Sequence, residues 1–133
     1  MGDYRHLAVW KRGHGLALGI YRSTQSFPDH ERYGLTAQLR RAAVSIVSNI
    51  AEGTGRQSDR ELARFVRIAH GSLCEVECQL LISRDLGYLH SDGWRVLDAD
   101  SRELGKMLNG LIRSCRTGDQ GKRSRSVRLI PGR

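Results

Sequence analysis

Four arginines near the middle of the chain have a spacing that suits binding to a phosphate backbone. Arg60, Arg64 and Arg67 recur at steps of three and four residues, so they lie on one side of a helix, and Arg56 occupies the adjacent turn. Repeated around a symmetric oligomer, such a stripe would form a continuous basic ring matched to a chain of phosphates. These arginines are the first candidate nucleic-acid contacts.

The same stripe also fits a solvated helix face with local ion pairs. Glu61 lies three residues before Arg64, and Glu52 is close across the turn. The two interpretations carry equal weight at this point. Stacking on bases is not indicated, because aromatic residues are sparse and three of them are expected to be buried, at Trp10, Tyr21 and Phe65.

Two further patterns could support metal or phosphate-loop chemistry. His70, Cys74 and Cys78 step by four along one helix, but zinc usually takes four ligands, and a fourth would have to come from His14 or Cys115. Buried thiols are ordinary core residues, which is the interpretation we favour, so no metal site is predicted. The run Glu-Gly-Thr-Gly-Arg at residues 52–56 lacks the Gly-Lys-Ser/Thr ending of a phosphate loop and follows a helix, which a helix C-cap explains.

The remaining polar residues do not indicate a hydrolytic enzyme. The candidate carboxylates include Glu52, Glu75 and Asp85, yet no nucleophile–base pair is visible. Carboxylates on buried faces are better explained by arginine partners at Arg41 or Arg64. We therefore expect a protein that is not an enzyme and needs no cofactor.

The net charge of +8 is concentrated at the C-terminal end of the chain. Residues 113–133 contain seven basic residues and one acidic residue, whereas the preceding residues are nearly balanced. A basic tail is a plausible handle for nucleic acid, or else an aid to solubility. Its candidate phosphate contacts are Lys122, Arg123, Arg125 and Arg128.

At 133 residues the chain is expected to form one domain. It has no apolar run of the roughly 20 residues that span a membrane, and its N-terminus lacks the apolar core of a secretory signal. The cysteines are odd in number and lie in helical patterns, so a disulfide framework is not expected. A cytoplasmic location is the default expectation.

Four helical segments are predicted to position the arginines. The first runs from about Arg5 to Gln25 after a capping Asp3, and its core seam is expected at Leu7, Trp10, His14, Ala17, Tyr21 and Thr24. Glycines at positions 13, 15 and 19 indicate close approach of another helix or simple tolerance in equal measure. Phe27-Pro28 breaks this helix, and a short turn over residues 29–33 ends at Gly34.

The second helix begins at Leu35, and we expect Gly53 and Gly55 to end it in the left-handed conformation. The third starts at a capping box, Ser58-Asp-Arg-Glu61, and ends at Gly87. Its core seam is Leu62, Phe65, Val66, Ala69, Leu73, Val76, Leu80 and Ser83. The fourth follows a cap at Asp92 and buries Leu97, Leu104, Leu108, Leu111 and Cys115. Disorder is expected from Thr117 onward.

The second helix carries two adjoining stripes. Its apolar stripe is Leu35, Leu39, Ala42, Ala43, Ile46 and Ile50, and its compact polar stripe is Gln38, Arg41, Ser45, Asn49, Glu52 and Arg56. Two stripes indicate a helix enclosed on most of its circumference. We expect a buried Arg41–Glu75 pair, worth about 3–5 kcal/mol to break. We also expect hydrogen bonds between helices from Ser45, Asn49 and Ser72.

This second helix is also where the chain resembles a known family. The run from Tyr33 to Gly53 is similar to the signature of the 23S rRNA intervening-sequence proteins, which are small bacterial four-helix bundles. Further matches are Val-Trp-Lys at 9–11, Phe-Pro at 27–28 and Ala-His-Gly-Ser-Leu-Cys-Glu at 69–75. Val47 stands where the family often has proline, and His70 where it often has arginine. The resemblance covers about residues 5–112 and leaves the basic tail outside.

The resemblance carries its own implications for assembly and function. The family is similar to accessory proteins of diversity-generating retroelements, which act beside a reverse transcriptase. This implies a ring of five bundles that binds nucleic acid without catalysis. A reverse transcriptase or another protein is then a possible partner.

The sequence therefore predicts an all-α fold: an up-down-up-down antiparallel four-helix bundle over residues 1–116, followed by a flexible basic tail at 117–133. The expected function is non-enzymatic binding of RNA or DNA, mainly through phosphates, by a homo-oligomer. The alternative is an oligomeric scaffold that recruits a protein partner and has no physiological role with nucleic acid.

Overall fold

A computed structural model describes the backbone of residues 3–121 and the side chains of residues 3–116. Its four α-helices are α1 (Ala8–Thr24), α2 (Leu35–Thr54), α3 (Asp59–Asp85) and α4 (Ser91–Gly121). Single turns of 3-10 helix occur at Tyr4–His6 and Asp29–Glu31. Each helix packs against the next in sequence, and α1 closes the bundle against α4. The predicted all-α, up-down-up-down bundle is confirmed, and no strand occurs among residues 3–121.

The core seams predicted for α2, α3 and α4 are confirmed. All predicted α3 and α4 core positions are buried, including the small residues Ser83 and Cys115. On α2 the same is true of Leu39, Ala42, Ala43, Ile46 and Ile50, while Leu35 packs against the core from its edge. None of these helices, within the described residues, is apolar enough over a sufficient length to cross a bilayer.

The predicted seam of α1 is only half right: Leu7, Ala17 and Thr24 are buried, whereas Trp10, His14 and Tyr21 are not. The buried positions are Val9, Gly13, Leu16, Ala17, Ile20 and Thr24. The aromatic side chains instead lie toward the surface, where Trp10 stacks on His14 with 4.8 Å between ring centroids. Compact aliphatic residues fill the interior next to α2, and the larger rings pack outside it. Asp3 caps the 3-10 turn, as its carboxylate accepts from the Arg5 amide at 3.0 Å, so α1 begins only at Ala8.

Close contact between α2 and α3 explains Gly53, which lies inside α2. A Cβ atom on Gly53 would sit 3.0 Å from the Cβ of Phe65 and 3.1 Å from Cδ1 of Leu62. The expected left-handed conformation is wrong for both glycines at this end, since Gly55 has a φ of −83°. Position 53 favours glycine because α3 packs closely against it. Similar contacts exist at Gly13 and Gly19, where a Cβ would lie 3.0 Å from Val47 and Leu97 respectively, whereas Gly15 faces open space.

The ends of α3 follow the sequence signals closely. The Ser58 hydroxyl accepts from the Glu61 amide at 3.1 Å, as expected for a capping box. At the other end Gly87 has a φ of +81°, which L side chains rarely adopt. The Tyr88 amide then donates to the Ser83 carbonyl at 2.9 Å and the Gly87 amide to the Arg84 carbonyl at 3.0 Å. This is the Schellman arrangement, which satisfies the last carbonyls of the helix.

Both ends of α4 differ from expectation. The helix begins at Ser91, so Asp92 lies in its first turn, where it pairs with Arg95 at 2.7 Å instead of capping. The helix also continues through Thr117 to Gly121, so the boundary expected at Thr117 is wrong. Continued α-helical hydrogen bonding carries the chain past the polar residues that suggested disorder. The rest of the predicted tail, with its four candidate contacts, lies outside the described residues.

Glu31 links two loops at one end of the bundle. One carboxylate oxygen accepts from the Leu35 amide at 3.0 Å, which caps α2, and the other accepts from the Tyr88 hydroxyl at 3.0 Å. Gly34 leaves room for this carboxylate, because a Cβ there would lie 2.7 Å from the Glu31 Oε1. The Leu35 amide and then the Tyr88 hydroxyl lower the pKa of Glu31, whereas burial and the neighbouring carboxylate raise the pKa of Tyr88.

Removing the Glu31 charge should flatten the acid dependence of stability. Because its pKa is lower in the folded chain, ionised Glu31 stabilises the fold above its ordinary pKa of 4.5, and this contribution disappears as the pH falls through the folded value. We expect Glu31→Gln to lower Tm at neutral pH and to have a smaller effect in acid, as followed by circular dichroism. Glu103→Gln, on the exposed face of α4, is the control. Parallel Tm–pH curves for Glu31→Gln and the wild type would contradict this role.

Two glycine substitutions test whether a glycine is required by the close approach of another helix or could be replaced by a larger residue. Gly53→Ala places a Cβ against Leu62 and Phe65 and should destabilise the fold by about 1–3 kcal/mol in urea unfolding. Gly71→Ala meets no atom within 4 Å and should stabilise it by up to about 1 kcal/mol. If both variants shifted the unfolding midpoint in the same direction, the close approach at Gly53 would not determine its identity.

Candidate nucleic-acid interface

The four candidate arginines lie together along the outer side of the first half of α3 and the turn before it. We call Arg56, Arg60, Arg64 and Arg67 the arginine edge. Two of its guanidinium groups contact the ring of Phe65, Arg56 at 4.9 Å and Arg64 at 4.5 Å from the ring centroid. Such cation–π contacts hold each guanidinium near the ring while leaving its N–H groups available. The structure thus brings the sequence-predicted stripe together.

The expected acidic partners are also present, but for only half of the edge. Arg56 donates to Glu52 at 2.6 Å, and Arg64 lies 3.5 Å from Glu61. Arg60 and Arg67 are exposed and form no ion pair within the part of the chain that the structure describes. Each interpretation therefore fits half of the edge. Arg56 and Arg64 have local carboxylate partners, as expected for a solvated face, whereas Arg60 and Arg67 face solvent and are available for a phosphate.

The polar stripe of α2 is only partly enclosed. The Ser45 and Ser72 hydroxyls form a hydrogen bond of 2.8 Å between α2 and α3, as expected. Asn49 instead bonds within α2, donating to the Ser45 carbonyl at 2.8 Å and to its hydroxyl at 3.1 Å. At this point of the stripe, Ser45 therefore makes the bond between helices, and Asn49 makes local bonds that orient it. Fourteen of the 20 residues of α2 are buried or half-buried, which agrees with the expected enclosure on most of its circumference, although Gln38, Arg41 and Glu52 of the polar stripe are exposed.

Arg41 and Glu75 pair across α2 and α3, but at the surface. Their closest atoms are 3.8 Å apart, and the two side chains remain 65% and 43% exposed. An exposed pair contributes about 0–1 kcal/mol, so the expected cost of 3–5 kcal/mol is wrong. Gln79, which was not among the residues predicted from the sequence, is buried beside this pair and donates to Gln38 at 3.2 Å. Its position four residues after Glu75 on the helix was the available signal.

The thiol pattern on α3 is exposed instead of buried. Cys74 and Cys78 both face outward, so the core explanation fails for them, while Cys115 is buried as expected. The Cys74 sulfur lies 3.9 Å from Nδ1 of His70. Among residues 3–116 no group of three or more potential ligands is close enough to hold a metal ion.

Aromatic exposure also differs from expectation. Phe65 is buried and Trp10 is half-buried, but Tyr21 is exposed beneath the guanidinium of Arg40, 4.6 Å from its ring centroid. Tyr33, in the loop before α2, is 87% exposed. These tyrosines lie at the end of α2 opposite to the arginine edge, so they do not add stacking surfaces to it.

Comparison with known proteins connects this geometry to a family. A model of the 23S rRNA-intervening sequence protein family matches residues 5–110, which include α1, α2, α3, the first twenty residues of α4 and the whole arginine edge. No curated protein matches the sequence. A crystal structure of a protein of unknown function from the S23 ribosomal protein family of Bacteroides thetaiotaomicron superposes with a TM-score of 0.71 at 23% identity, covering 78% of this chain and 97% of that one. That similarity shows the same fold, and the extent of the family match shows that the chain belongs to the 23S rRNA-intervening sequence protein family.

Proposed function

We propose that this protein is a non-enzymatic, oligomeric nucleic-acid-binding protein that contacts RNA or DNA mainly through phosphates. The observation that carries the proposal is the arginine edge, where exposed Arg60 and Arg67 have no carboxylate partner among the described residues and alternate with the two arginines held at Phe65. Guanidinium groups match phosphate oxygens in paired hydrogen bonds.

The carboxylates on the edge do not prevent such binding. The Arg56–Glu52 and Arg64–Glu61 pairs are at least two-fifths exposed at every member, and exposed pairs contribute about 0–1 kcal/mol each. A phosphate can therefore replace a carboxylate at little cost. Each neutralised phosphate also releases condensed counterions, which makes binding favourable at low salt. We therefore expect the edge to bind phosphates with moderate affinity and without sequence preference.

The name of the family supports RNA as the first nucleic acid to test, since it refers to an intervening sequence of 23S rRNA. The resemblance to retroelement accessory proteins supports a ring of five chains and a role beside a reverse transcriptase. The cytoplasmic location is proposed from the sequence, which has no apolar run long enough to span a membrane. In such a ring the edge would repeat once per chain and line a continuous surface. The basic residues beyond Gly121 are further candidate phosphate contacts.

The alternative, a scaffold that recruits a protein partner, is favoured by a different surface. Leu81, Ile82 and Leu86 are exposed at the C-terminal part of α3, and Val96 is exposed on α4. These side chains lie roughly 30 Å along the helix from the arginine edge, given the rise of 1.5 Å per residue. Clustered exposed apolar side chains are typical of protein contacts.

Removing the two unpaired arginines should weaken nucleic-acid binding and its salt dependence together. Each lost phosphate contact lowers the log–log salt slope by about 0.7–0.9, so Arg60→Ala combined with Arg67→Ala should lower it by about 1.4–1.8. Gel-shift titrations with RNA and with DNA in increasing salt measure this slope. The matched control is Arg95→Ala with Arg102→Ala on α4, which removes the same charge from arginines paired with Asp92 and Asp98.

Two results would decide against the proposal in favour of the scaffold. One is the absence of any shift at low salt with the full-length chain. The other is an equal slope change in the test and control variants, because net charge alone would then explain binding. A chain ending after Gly121, where α4 ends, isolates the contribution of the basic residues that follow.

The oligomeric part of the proposal predicts a mass of five chains for the full-length protein in solution. Light scattering coupled to size exclusion measures this directly, at several protein concentrations. A monomer at all concentrations would contradict the ring, and the arginine edge would then act as a short isolated patch.

A further inference from the structure

The outer side of α3 carries two free thiols and an imidazole, each one helical turn from the next. We call His70, Cys74 and Cys78 the thiol face. Both cysteines are exposed, and His70 is half-buried. Cysteine is among the residue types most often buried in folded proteins, so two exposed thiols at the spacing of one helix face are unusual. The proposed contact with nucleic acid uses none of these three residues.

The contact between His70 and Cys74 shows how closely side chains approach one another on this face. Nδ1 of His70 lies 3.9 Å from the Cys74 sulfur. Two metal–sulfur bonds of about 2.3 Å each can join sulfurs up to about 4.6 Å apart, which is longer than that contact. Cys78 follows Cys74 by the same four residues. The spacing of the two thiols therefore suits a single ion held between them.

A disulfide between Cys74 and Cys78 does not fit the helix. Side chains four residues apart on a helix have their Cβ atoms about 5–6 Å apart. A disulfide needs about 3.5–4.5 Å between the same atoms, so it would require the helix to bend. An ion between the sulfurs lengthens the bridge and removes this conflict. The thiol pair is therefore suited to chelation and not to oxidation within the chain.

The surroundings of the thiol face allow a cation to approach. Gly71 leaves space open on the same side of α3, because a Cβ there would meet no atom within 4 Å. Glu77 and Cys78 together line a groove of about 420 Å³ between α3 and α4. That groove also contains Arg84 and Arg102, which oppose a cation, but each is already paired with an aspartate.

The number of ligands within reach determines which ion the thiol face can hold. His70 and Cys78 are about 12 Å apart along the helix, at 1.5 Å per residue, so one ion cannot contact both. Zinc usually takes four ligands, and residues 3–116 contain no group of three or more potential metal ligands. Thiolates are soft ligands that favour Cu(I), and Cu(I) forms stable complexes with two sulfurs alone.

We propose that Cys74 and Cys78 bind one Cu(I) ion as a pair of thiolates, with His70 as a positioning residue that contacts the Cys74 sulfur. Two sulfur–copper bonds form on binding, and each thiol releases its proton to solvent without a change in oxidation state. The site goes beyond the proposed function, because it depends neither on the arginine edge nor on nucleic acid.

The test is a Cu(I) titration of the full-length, reduced protein without oxygen, in competition with the chromophoric chelator bicinchoninate. We expect the protein to remove one Cu(I) per chain from the coloured complex. Cys74→Ser and Cys78→Ser should each abolish this transfer, and His70→Ala should weaken Cu(I) binding by about 10–100-fold. Arg60→Ala on the arginine edge should leave it unchanged. The buried Cys115 is present in every variant, so it cannot account for a difference among them.

Three results would overturn the proposal. These are the absence of transfer to the wild type, equal transfer to Cys74→Ser, and displacement of Cu(I) by an equal concentration of Zn²⁺, which would indicate a four-ligand site shared between chains. Circular dichroism checks that the serine variants fold, which we expect because both positions are exposed. X-ray absorption of the copper-loaded wild type gives a test without substitutions: sulfur neighbours support the thiolate pair, and nitrogen or oxygen neighbours alone contradict it.

Discussion

The close packing of α2 against α3 determines where the charged groups of this protein lie. At Gly53 the two helices approach until a Cβ would contact Phe65, and a few turns away Ser45 bonds to Ser72. Phe65 is thereby held at the surface end of the core, and the guanidinium groups of Arg56 and Arg64 assemble on its ring. The position of the arginine edge is a consequence of helix packing and not of the arginines themselves.

The arginines of this protein fall into two groups, those that have a carboxylate partner and those that do not. Several arginines have a carboxylate three or four residues away on their own helix, as at Arg64, Arg95 and Arg102. Arg60 and Arg67 lack one, and Arg40 instead bonds to a hydroxyl, a carbonyl and an aromatic ring. Exposed pairs contribute little to stability. The unpaired cations are therefore the groups with most to gain from an external anion.

The fold could be predicted from the sequence because three of the four helices have aliphatic seams with a clear period, bounded by strong caps such as Ser58 and Gly87. The α1 seam is right at Leu7, Ala17 and Thr24, but its two large aromatic residues, Trp10 and Tyr21, lie toward the outside of the bundle. Period alone does not separate neighbouring stripes of a helix. The arginine edge followed from helical spacing, but the contact of Arg56 with Phe65 spans the turn and depends on tertiary packing.

Glu31 makes the two ends of the bundle unlike each other. Its carboxylate ties the loop before α2 to the loop after α3 through Leu35 and Tyr88, whereas the opposite end contains the short turn between α2 and α3. Opening either loop at the Glu31 end must break bonds belonging to the other, so their amides should exchange with solvent deuterium as a single cooperative unit. A molecule that binds beside Leu35 would then change the amide exchange rates of both loops, although the two loops are more than 50 residues apart in sequence.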